Sequence, residues 1–383
     1  MICTFIGTRQ YDLDLYGKIQ AAVKKVLSKG EETEFLFYQT TGEFHALCFA
    51  ALLEAKPRYP NKKVTAALVG RQGVKEGIPS FLFDKTIPAA PGTESVRQSA
   101  RRWKQTAREI IRGADYVIAC CYPELRGREY ELLRYAAHQR GVSVLNLLDT
   151  QTTDFLRKQI ESLPSVERSI VEAVDAGCSY TALARAMGIS AAAVRARDGR
   201  SRRRLRAGAV ERMEGGRMER GPAAPLVCSI ILPGRRGGEL EEQKNRLRQA
   251  MGFLARRLGV STFLVEQSNS PMWGFSQPHE GGMRVELVVV THYTLRDEVD
   301  WDAVRRRYLP PFTDLMNIDP ETNIRWVRYL RTVKAMLARS AFVICNVAGA
   351  SPCDGRIRRC IERRRGIKIL DIGRPQDMAR PTA

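Results

Sequence analysis

The chain has 383 residues, of which 44% are hydrophobic, and its formal net charge at pH 7 is +20. This length exceeds one ordinary domain and predicts two or three. No uncharged apolar run approaches the ~20 residues that a membrane-spanning helix needs, and the first residues lack the pattern of a secretory signal, so we expect a cytoplasmic protein with no membrane partner. The excess of Lys and Arg predicts an anionic partner.

The cysteines and histidines do not form a recognisable metal or disulfide pattern. The nine cysteines are an odd number without CxxC spacing, and the four histidines lie far apart. Cys120 and Cys121 are adjacent in an apolar run, which is typical of thiols packed in a core. We therefore predict a reducing compartment and no structural metal.

Residues 1–150 have the alternating pattern of an α/β domain. A short apolar run at 2–6 ends at Gly7, as a buried first strand does, and a helical stretch follows it. The further predicted elements are a second strand at 35–39, a third at 64–69, a helix running into a fourth strand at 103–121, and a helix, glycine cap and fifth strand at 127–149.

Residues 151–206 have helical periodicity and no strand pattern. Ser179 can cap one helix, Gly188 supplies the positive φ that a tight turn between helices needs, and Ser190 can cap the next. Ala184 and Val194 have the small and apolar side chains that let two such helices pack. Residues 207–224 are rich in Gly, charge and small side chains, and this composition predicts a flexible linker.

Residues 225–374 repeat the order of the first domain. An apolar run at 226–232 again precedes a helical stretch, and the segments 103–121 and 127–149 have counterparts at 327–346 and 355–373. A repeat of this length suits a duplicated domain rather than a solenoid unit. The predicted fold class is therefore α/β, with two Rossmann-like open parallel-sheet domains joined by a small all-α helix-turn-helix module.

The segment LPSVERSIVEAVDAGCSYTALARAMGISAAAVRARDGRSRRRLR at 163–206 resembles region four of sigma-70 family RNA polymerase sigma factors. In that family the third helix enters the major groove of DNA. The resemblance implies that base edges face Ser190, Ala191, Ala192, Arg195 and Arg197. It also implies phosphate contacts from Arg200, Arg202, Arg203, Arg204 and Arg206. Seven arginines between 195 and 206 can neutralise several phosphates, so the predicted affinity for DNA falls steeply with salt.

Two residues depart from the sigma-factor pattern. Asp198 occupies a position that is usually apolar, and Gly199 weakens a helix by about 1 kcal/mol, so the third helix is expected to kink or end early. No segment resembles the aromatic region that melts promoters, which favours a regulator over a complete sigma factor. The basic helix could instead be a solvated face or bind an acidic partner such as an RNA polymerase subunit, and charge alone does not separate these.

Residues 1–149 resemble the SLOG superfamily of Rossmann-like domains, which are related to lysine-decarboxylase-like phosphoribohydrolases and sense nucleotide-derived ligands. The resemblance rests on CTFIGTR, FYQTTGEFHALCFAALLEA, RRWKQTAREIIRGADYVIACC and RGREYE, and the second α/β domain resembles a more divergent copy. Such sheets bind ligands beyond the carboxyl ends of their strands. The predicted ligand-binding residues are Gly7, Thr8, Arg9, Thr40, Thr41, Gly42, Glu43, Arg126, Gly127 and Arg128, which suit a small anionic ligand because two of the glycines precede helices.

The related phosphoribohydrolases carry a PGGxGTxxE signature, but this chain has ELRGREYE at 124–131. Glu129 and Glu131 are two positions apart on a helix and cannot face each other as an acid and base. No catalytic residue is therefore assigned, and a nucleotide ligand is expected as an effector rather than as a permanent cofactor. Three functions remain: a ligand-responsive DNA-binding regulator, a nucleotide-processing enzyme with a docking segment for nucleic acid or polymerase, and a non-catalytic scaffold. The sequence leaves homo-oligomer formation open.

Overall fold

The computed structural model describes residues 1–7, 9, 14–38, 42–70, 78–87, 96–219, 226–232, 240–266, 285–291, 302–303, 314–318, 325–346, 352–364, 366–373 and 377–378. By its packing the chain divides into two compact units. One unit contains residues 1–48 and 89–223, and the other contains residues 49–88 and 224–383.

Strands and helices alternate through the first 146 residues. The elements in chain order are β1 (Ile2–Ile6), α1 (Leu15–Lys29), β2 (Glu32–Phe37), α2 (Glu43–Ala55), β3 (Lys63–Val69), β4 (Lys85–Ile87), α3 (Val96–Arg112), β5 (Tyr116–Ala119), α4 (Arg128–Ala137) and β6 (Ser143–Asn146). The predicted amphipathic stretch is α1, whose apolar residues at helical spacing, including Leu15, Ile19 and Val23, are buried.

Four helices follow the last of these strands: α5 (Thr150–Glu161), α6 (Ser165–Asp175), α7 (Tyr180–Met187) and α8 (Ala191–Glu219). We call residues 150–219 the helical segment. It belongs to the same compact unit as β1, β2, β5 and β6, whereas the sequence analysis placed residues 151–206 in a separate domain.

A second set of strands and helices follows the helical segment. The elements are β7 (Leu226–Ile231), α9 (Leu240–Leu258), β8 (Val260–Glu266), β9 (Glu286–Thr291), β10 (Asp314–Asn317), α10 (Arg325–Arg339), β11 (Phe342–Cys345), α11 (Pro352–Glu362), β12 (Lys368–Asp371) and a two-residue strand, β13 (Asp377–Met378). Among the described residues, none of the helices is long and apolar enough to cross a membrane.

The strands form two parallel sheets. Their orders are β13-β4-β3-β2-β1-β5-β6 and β10-β9-β8-β7-β11-β12. Without β13 the two orders are identical when the second half is aligned to the first. The predicted α/β class with two open parallel sheets is thus confirmed. In the first sheet, β2, β3 and β4 lie on one side of β1, and β5 and β6 lie on its other side. The second sheet has the same arrangement about β7. The strand order therefore reverses between β1 and β5 and between β7 and β11.

The strand register also repeats. Cys3 on β1 lies opposite Phe35 and Tyr116 on its two neighbouring strands. Cys228 on β7 lies opposite Phe263 and Phe342 in the same way. Both cysteines are fully buried and burial raises the pKa of both thiols, so they are core residues. Cys120 and Cys121, for which core packing was predicted, are also buried.

Two features differ from the sequence predictions. The edge strands β4 and β10 were not predicted, because three or four residues carry too little alternation to be recognised. In addition, α8 continues over positions 207–219, where a flexible linker was expected. Ala209 and Met213 on this part of the helix are buried, and the Arg212 guanidinium lies over the Phe155 ring at 5.3 Å. Packing against α5 therefore compensates for the low helix propensity of the glycines. Positions 220–224 lie outside the described residues.

Candidate ligand crevice and nucleic-acid interface

A small crevice lies at the carboxyl end of β1, at the reversal of strand order in the first sheet. Its enclosed volume is about 20 Å³, which is room for about one water molecule. The lining residues include Gly7, Tyr38, His45, Trp103, Glu129 and Leu132. Two aromatic rings, one carboxylate and one imidazole thus meet where open α/β sheets usually bind ligands. We call this site the crevice.

Gly7 is required for packing beside the crevice. Its φ is +157° and a β-carbon there would lie 2.7 Å from Cδ1 of Phe44. A larger residue at position 7 would therefore displace the buried Phe44 ring, at the start of α2. The glycine that sequence analysis assigned to ligand binding thus has a structural role as well.

Tyr38 and Trp103 form one wall of the crevice. Their ring centroids are 5.9 Å apart and the planes are inclined at 41°. Both side chains are half-buried, so their faces can contact a planar ligand while remaining accessible. Neither residue was selected from the sequence, although Tyr38 lies near the end of the predicted second strand at 35–39 and could have been found by its place at a strand end.

His45 is buried in the crevice, with 1% of its surface exposed. Its Nδ1 atom has no hydrogen-bond partner among the described residues. Burial lowers the pKa of His45 to about 4, although the backbone carbonyl of Phe5 opposes this effect. The ring is therefore neutral at pH 7, and Nδ1 can bond a ligand or a water molecule. From the sequence, His45 was considered only as a possible metal ligand.

The other predicted ligand residues are only partly brought together. Gly42 precedes α2, and its carbonyl accepts from the Ala46 amide at 3.1 Å. Arg9, Glu43 and Arg128 are exposed. Gly127 precedes α4 with φ +121°, a conformation that requires glycine. Thr8, Thr40 and Thr41 lie outside the described residues.

Arg126 does not line the crevice, in contrast to its predicted role. Its Nε lies 2.8 Å from Oδ1 of Asp175, and its Nη2 donates to the Val174 carbonyl. The reason is electrostatic, since the carboxylate at the end of α6 gives the guanidinium a charged partner. In this structure Arg126 bonds the helical segment instead of a ligand.

Glu129 and Glu131 of the ELRGREYE motif have different surroundings. Glu129 lines the crevice. Glu131 is 59% exposed and pairs with Lys104 at 2.5 Å. Any chemistry at the crevice would therefore use Glu129 and not Glu131, because only Glu129 can reach a molecule bound there.

The helices α6, α7 and α8 share a small core. Its buried members are Ile170, Val174, Ala184 and Val194. Ser179 accepts from the Ala182 amide and Ser190 from the Ala193 amide, both at 3.1 Å, so both predicted serine caps are present. Gly188 has the left-handed conformation predicted for the turn between α7 and α8. Val166, in the first turn of α6 and ahead of the core positions, is 46% exposed.

The residues predicted to face DNA divide into three groups. Those that are exposed are Ser190, Ala192, Arg195, Arg200, Arg203 and Arg204. Ala191, Arg197 and Arg206 are half-buried, and Arg202 is buried. The Arg195 guanidinium lies over the Tyr180 ring at 5.4 Å, and Arg204 pairs with Glu167 at 3.1 Å. Three exposed arginines, at 195, 200 and 203, therefore form the basic surface of α8.

Arg202 and Arg206 do not have the phosphate-facing orientation that the sequence predicted. Only 3% of the Arg202 side chain is exposed, and it pairs with Asp175 and Asp198. Arg206 donates to the carbonyls of Leu125 and Arg126 at 2.7 and 2.9 Å. Both guanidinium groups are turned inward because acceptors there compensate for their loss of water.

Asp198, which departs from the sigma-factor pattern, has two hydrogen-bond partners at its buried position. Its Oδ1 accepts from Arg202 Nε at 3.1 Å and its Oδ2 accepts from the Tyr180 hydroxyl at 2.8 Å. The buried position is thus occupied by a paired carboxylate instead of an apolar side chain. Gly199 lies within a continuous α8, so the expected interruption of the helix does not occur.

No protein-family model matches the sequence, and no curated protein matches it significantly. The likeness to SLOG domains and to sigma-70 region four therefore stays a prediction from the motifs quoted above.

Proposed function

We propose that the protein is a DNA-binding regulator that contacts DNA through α7 and α8 and responds to a nucleotide-derived ligand bound in the crevice. The observation that carries the proposal is the exposed face of α8. Small residues and arginines alternate along this face, and a folded core holds it in place.

The exposed face of α8 has the composition of a groove-binding surface. Ala192, Arg195, Ala196, Arg200 and Arg203 are all exposed, and spacings of three and four residues place them on one side of the helix. The face is about 16 Å long at 1.5 Å per residue. Its small residues allow close approach to base edges, and its arginines can reach bases or phosphates.

The inward arginines reduce the charge available to DNA but also support the surface. Arg202 ties α8 to α6 through Asp175. A rigid helix loses less conformational freedom when it binds. The predicted interface therefore has fewer phosphate contacts than the arginine count suggests, and a more defined geometry.

The ligand part of the proposal rests on the crevice. A planar base can stack on Tyr38 or Trp103, and the start of α4, which has no side-chain cap at Gly127, favours an anionic group. The unpartnered Nδ1 of His45 offers one further hydrogen bond. These features together suit a nucleotide better than a purely apolar or purely anionic molecule. Because the enclosed volume of about 20 Å³ admits only a water-sized group, the crevice would have to widen around the base on binding.

DNA binding by the full chain tests the proposal. We expect the dissociation constant for double-stranded DNA to rise steeply between 50 and 200 mM salt, by at least ~10-fold for the loss of a few phosphate contacts. The variant in which Arg195, Arg200 and Arg203 are all changed to Gln should bind more weakly and depend less on salt. The DNA interface would be contradicted if the wild type and the triple variant bound DNA equally well, or if neither bound it.

A second candidate is a nucleotide-cleaving enzyme, and the position of Glu129 favours it. Release of free base from a nucleoside monophosphate should then be lost in Glu129→Gln and retained in Glu131→Gln, since only the first carboxylate lines the crevice. Absence of base release by the wild type, together with AMP binding, would leave the crevice as a sensory site.

A further inference from the structure

The segment between β5 and α4 contacts the helical segment through backbone carbonyls. Arg202 Nη1 donates to the Glu124 carbonyl, and Arg206 Nη2 donates to the carbonyls of Leu125 and Arg126. The backbone of this segment is thus hydrogen-bonded to α8. The side chain of Arg126 also pairs with Asp175 on α6. We call residues 124–127 the coupling loop.

The same loop leads directly into α4, whose Glu129 lines the crevice. A β-carbon on Gly127 would lie 3.2 Å from Nη2 of Arg206 and 3.4 Å from Oε2 of Glu129. Glu129 lines the crevice and Arg206 belongs to α8. The Gly127 α-carbon therefore lies close both to a crevice side chain and to an arginine of the proposed DNA-binding helix.

The loop is held in an unusual conformation. Arg126 has φ +40°, the sole positive φ among the described non-glycine residues. Such a conformation is unfavourable for a residue with a side chain and persists only where surrounding contacts impose it. Those contacts are the bonds to Asp175, Val174 and Arg206. Loss of these bonds would allow the loop to relax.

We propose that the coupling loop transmits ligand occupancy of the crevice to the position of α8, with Arg206 and the Arg126–Asp175–Arg202 ion pairs as the coupling contacts. This inference rests on the ligand-binding function proposed above. A ligand that bonds the α4 amides or attracts Arg126 has a higher affinity for one arrangement of the loop. It therefore shifts the arrangement of α6 and α8 by the same free energy.

The network is suited to two discrete arrangements. Arg202 is almost fully buried and bonds two carboxylates and two carbonyls. A shift of about 1 Å would stretch these bonds beyond hydrogen-bond distance, and unpaired buried charges are costly. Small displacements of the loop are thus either resisted or break several contacts together.

Hydrogen exchange on the full chain tests the coupling without any ligand. Gly127→Ala forces the loop to change, whereas Gly141→Ala introduces a similarly strained residue, at φ +85°, with no atom within 4 Å of its β-carbon. We expect amides of 165–175 and 191–206 to exchange faster by on the order of tenfold in Gly127→Ala, as the loss of one charged hydrogen bond predicts, and to be unchanged in Gly141→Ala. Faster exchange confined to 123–131 would overturn the proposal.

If Gly127→Ala does not fold, Arg206→Gln tests the coupling in its place. Arg203→Gln, which changes an exposed arginine, is the control. Here the exchange of residues 123–131 is read, and it should increase only when the inward arginine is lost. Equal exchange in the two variants would overturn the coupling.

AMP as a probe separates this proposal from the proposed function. If AMP protects the amides of 1–7 and 128–132 and also alters the exchange of 191–206, both the ligand site and the coupling are supported. Protection at the crevice with unchanged α8 overturns the coupling and leaves the ligand site standing. Absence of protection at the crevice counts against the nucleotide ligand, and the ligand-free variants alone then decide the coupling.

Discussion

The Arg202 guanidinium donates to both carboxylate oxygens of Asp175, at 2.7 and 3.0 Å, from a side chain that is only 3% exposed. Burial lowers the pKa of Arg202, but the hydrogen bond and charge of Asp175 outweigh it, so the net pKa is raised. Arg202, which the sequence predicted to contact phosphate, thus forms an internal ion pair with Asp175 within the helical segment. The pair therefore contributes to the stability of this segment and not to its exposed charge.

Removal of the Arg202 side chain should destabilise the helical segment. In Arg202→Met, the Asp198 carboxylate stays buried without its charged partner, and we expect a loss of about 3 kcal/mol in the free energy of unfolding. The exposed neighbour gives a matched control, since Arg203→Met should change stability by less than about 0.5 kcal/mol. Urea unfolding followed by circular dichroism measures both. Equal effects would show that the ion pair contributes little.

The salt dependence of DNA binding should distinguish outward from inward arginines. Arg200→Gln and Arg203→Gln should each reduce the slope of log affinity against log salt by about 1, as loss of one phosphate contact does. Arg206→Gln should leave the slope unchanged, because this guanidinium is bonded to backbone carbonyls. Binding measured from 50 to 200 mM salt checks this. A reduced slope for Arg206→Gln would mean that the residue turns outward on DNA.

Two glycines of the helical segment should respond to alanine with opposite signs. Gly188 has φ +63°, so Gly188→Ala should lower stability by about 1 kcal/mol. Gly199 lies inside α8, and only the end of Arg203 comes within 4 Å of its β-carbon position. Gly199→Ala should therefore raise stability by about 0.5 to 1 kcal/mol. Thermal unfolding of the two variants beside the wild type gives both signs in one experiment.

Acid should destabilise the crevice through His45. The pKa of this ring falls from 6.5 to about 4 on folding, so between these values the unfolded chain binds a proton that the folded chain does not. Stability contributed by the neutral ring is complete above pH 6.5 and is lost as pH falls toward 4, by up to about 1.4 kcal/mol per pH unit. Urea unfolding at pH 7, 6 and 5 measures this slope.

A matched substitution isolates the contribution of His45. His45→Gln should flatten the pH dependence between 7 and 5. His138→Gln, which changes an exposed histidine, should keep the wild-type slope. A slope that survives in His45→Gln would assign the acid sensitivity to other groups.

Local patterns predicted most of the fold. The strand at 2–6 was found at its observed bounds, and the two serine caps and the Gly188 turn occur where the sequence placed them. These features depend on residues within a few positions of one another, so local sequence is enough to predict them. Repetition of the strand pattern likewise predicted two open parallel sheets.

Contacts between distant positions decided the sites. Arg202 and Arg203 are adjacent and chemically identical, yet one is buried and the other is exposed, because only Arg202 faces an aspartate that lies 27 positions away. Tyr38, His45 and Trp103 are likewise brought to one crevice by three separate elements. Sequence by itself determined the elements and the density of positive charge. Tertiary structure decided which of those charges solvent can reach, since ion pairing and burial depend on neighbours that spacing along the chain does not reveal.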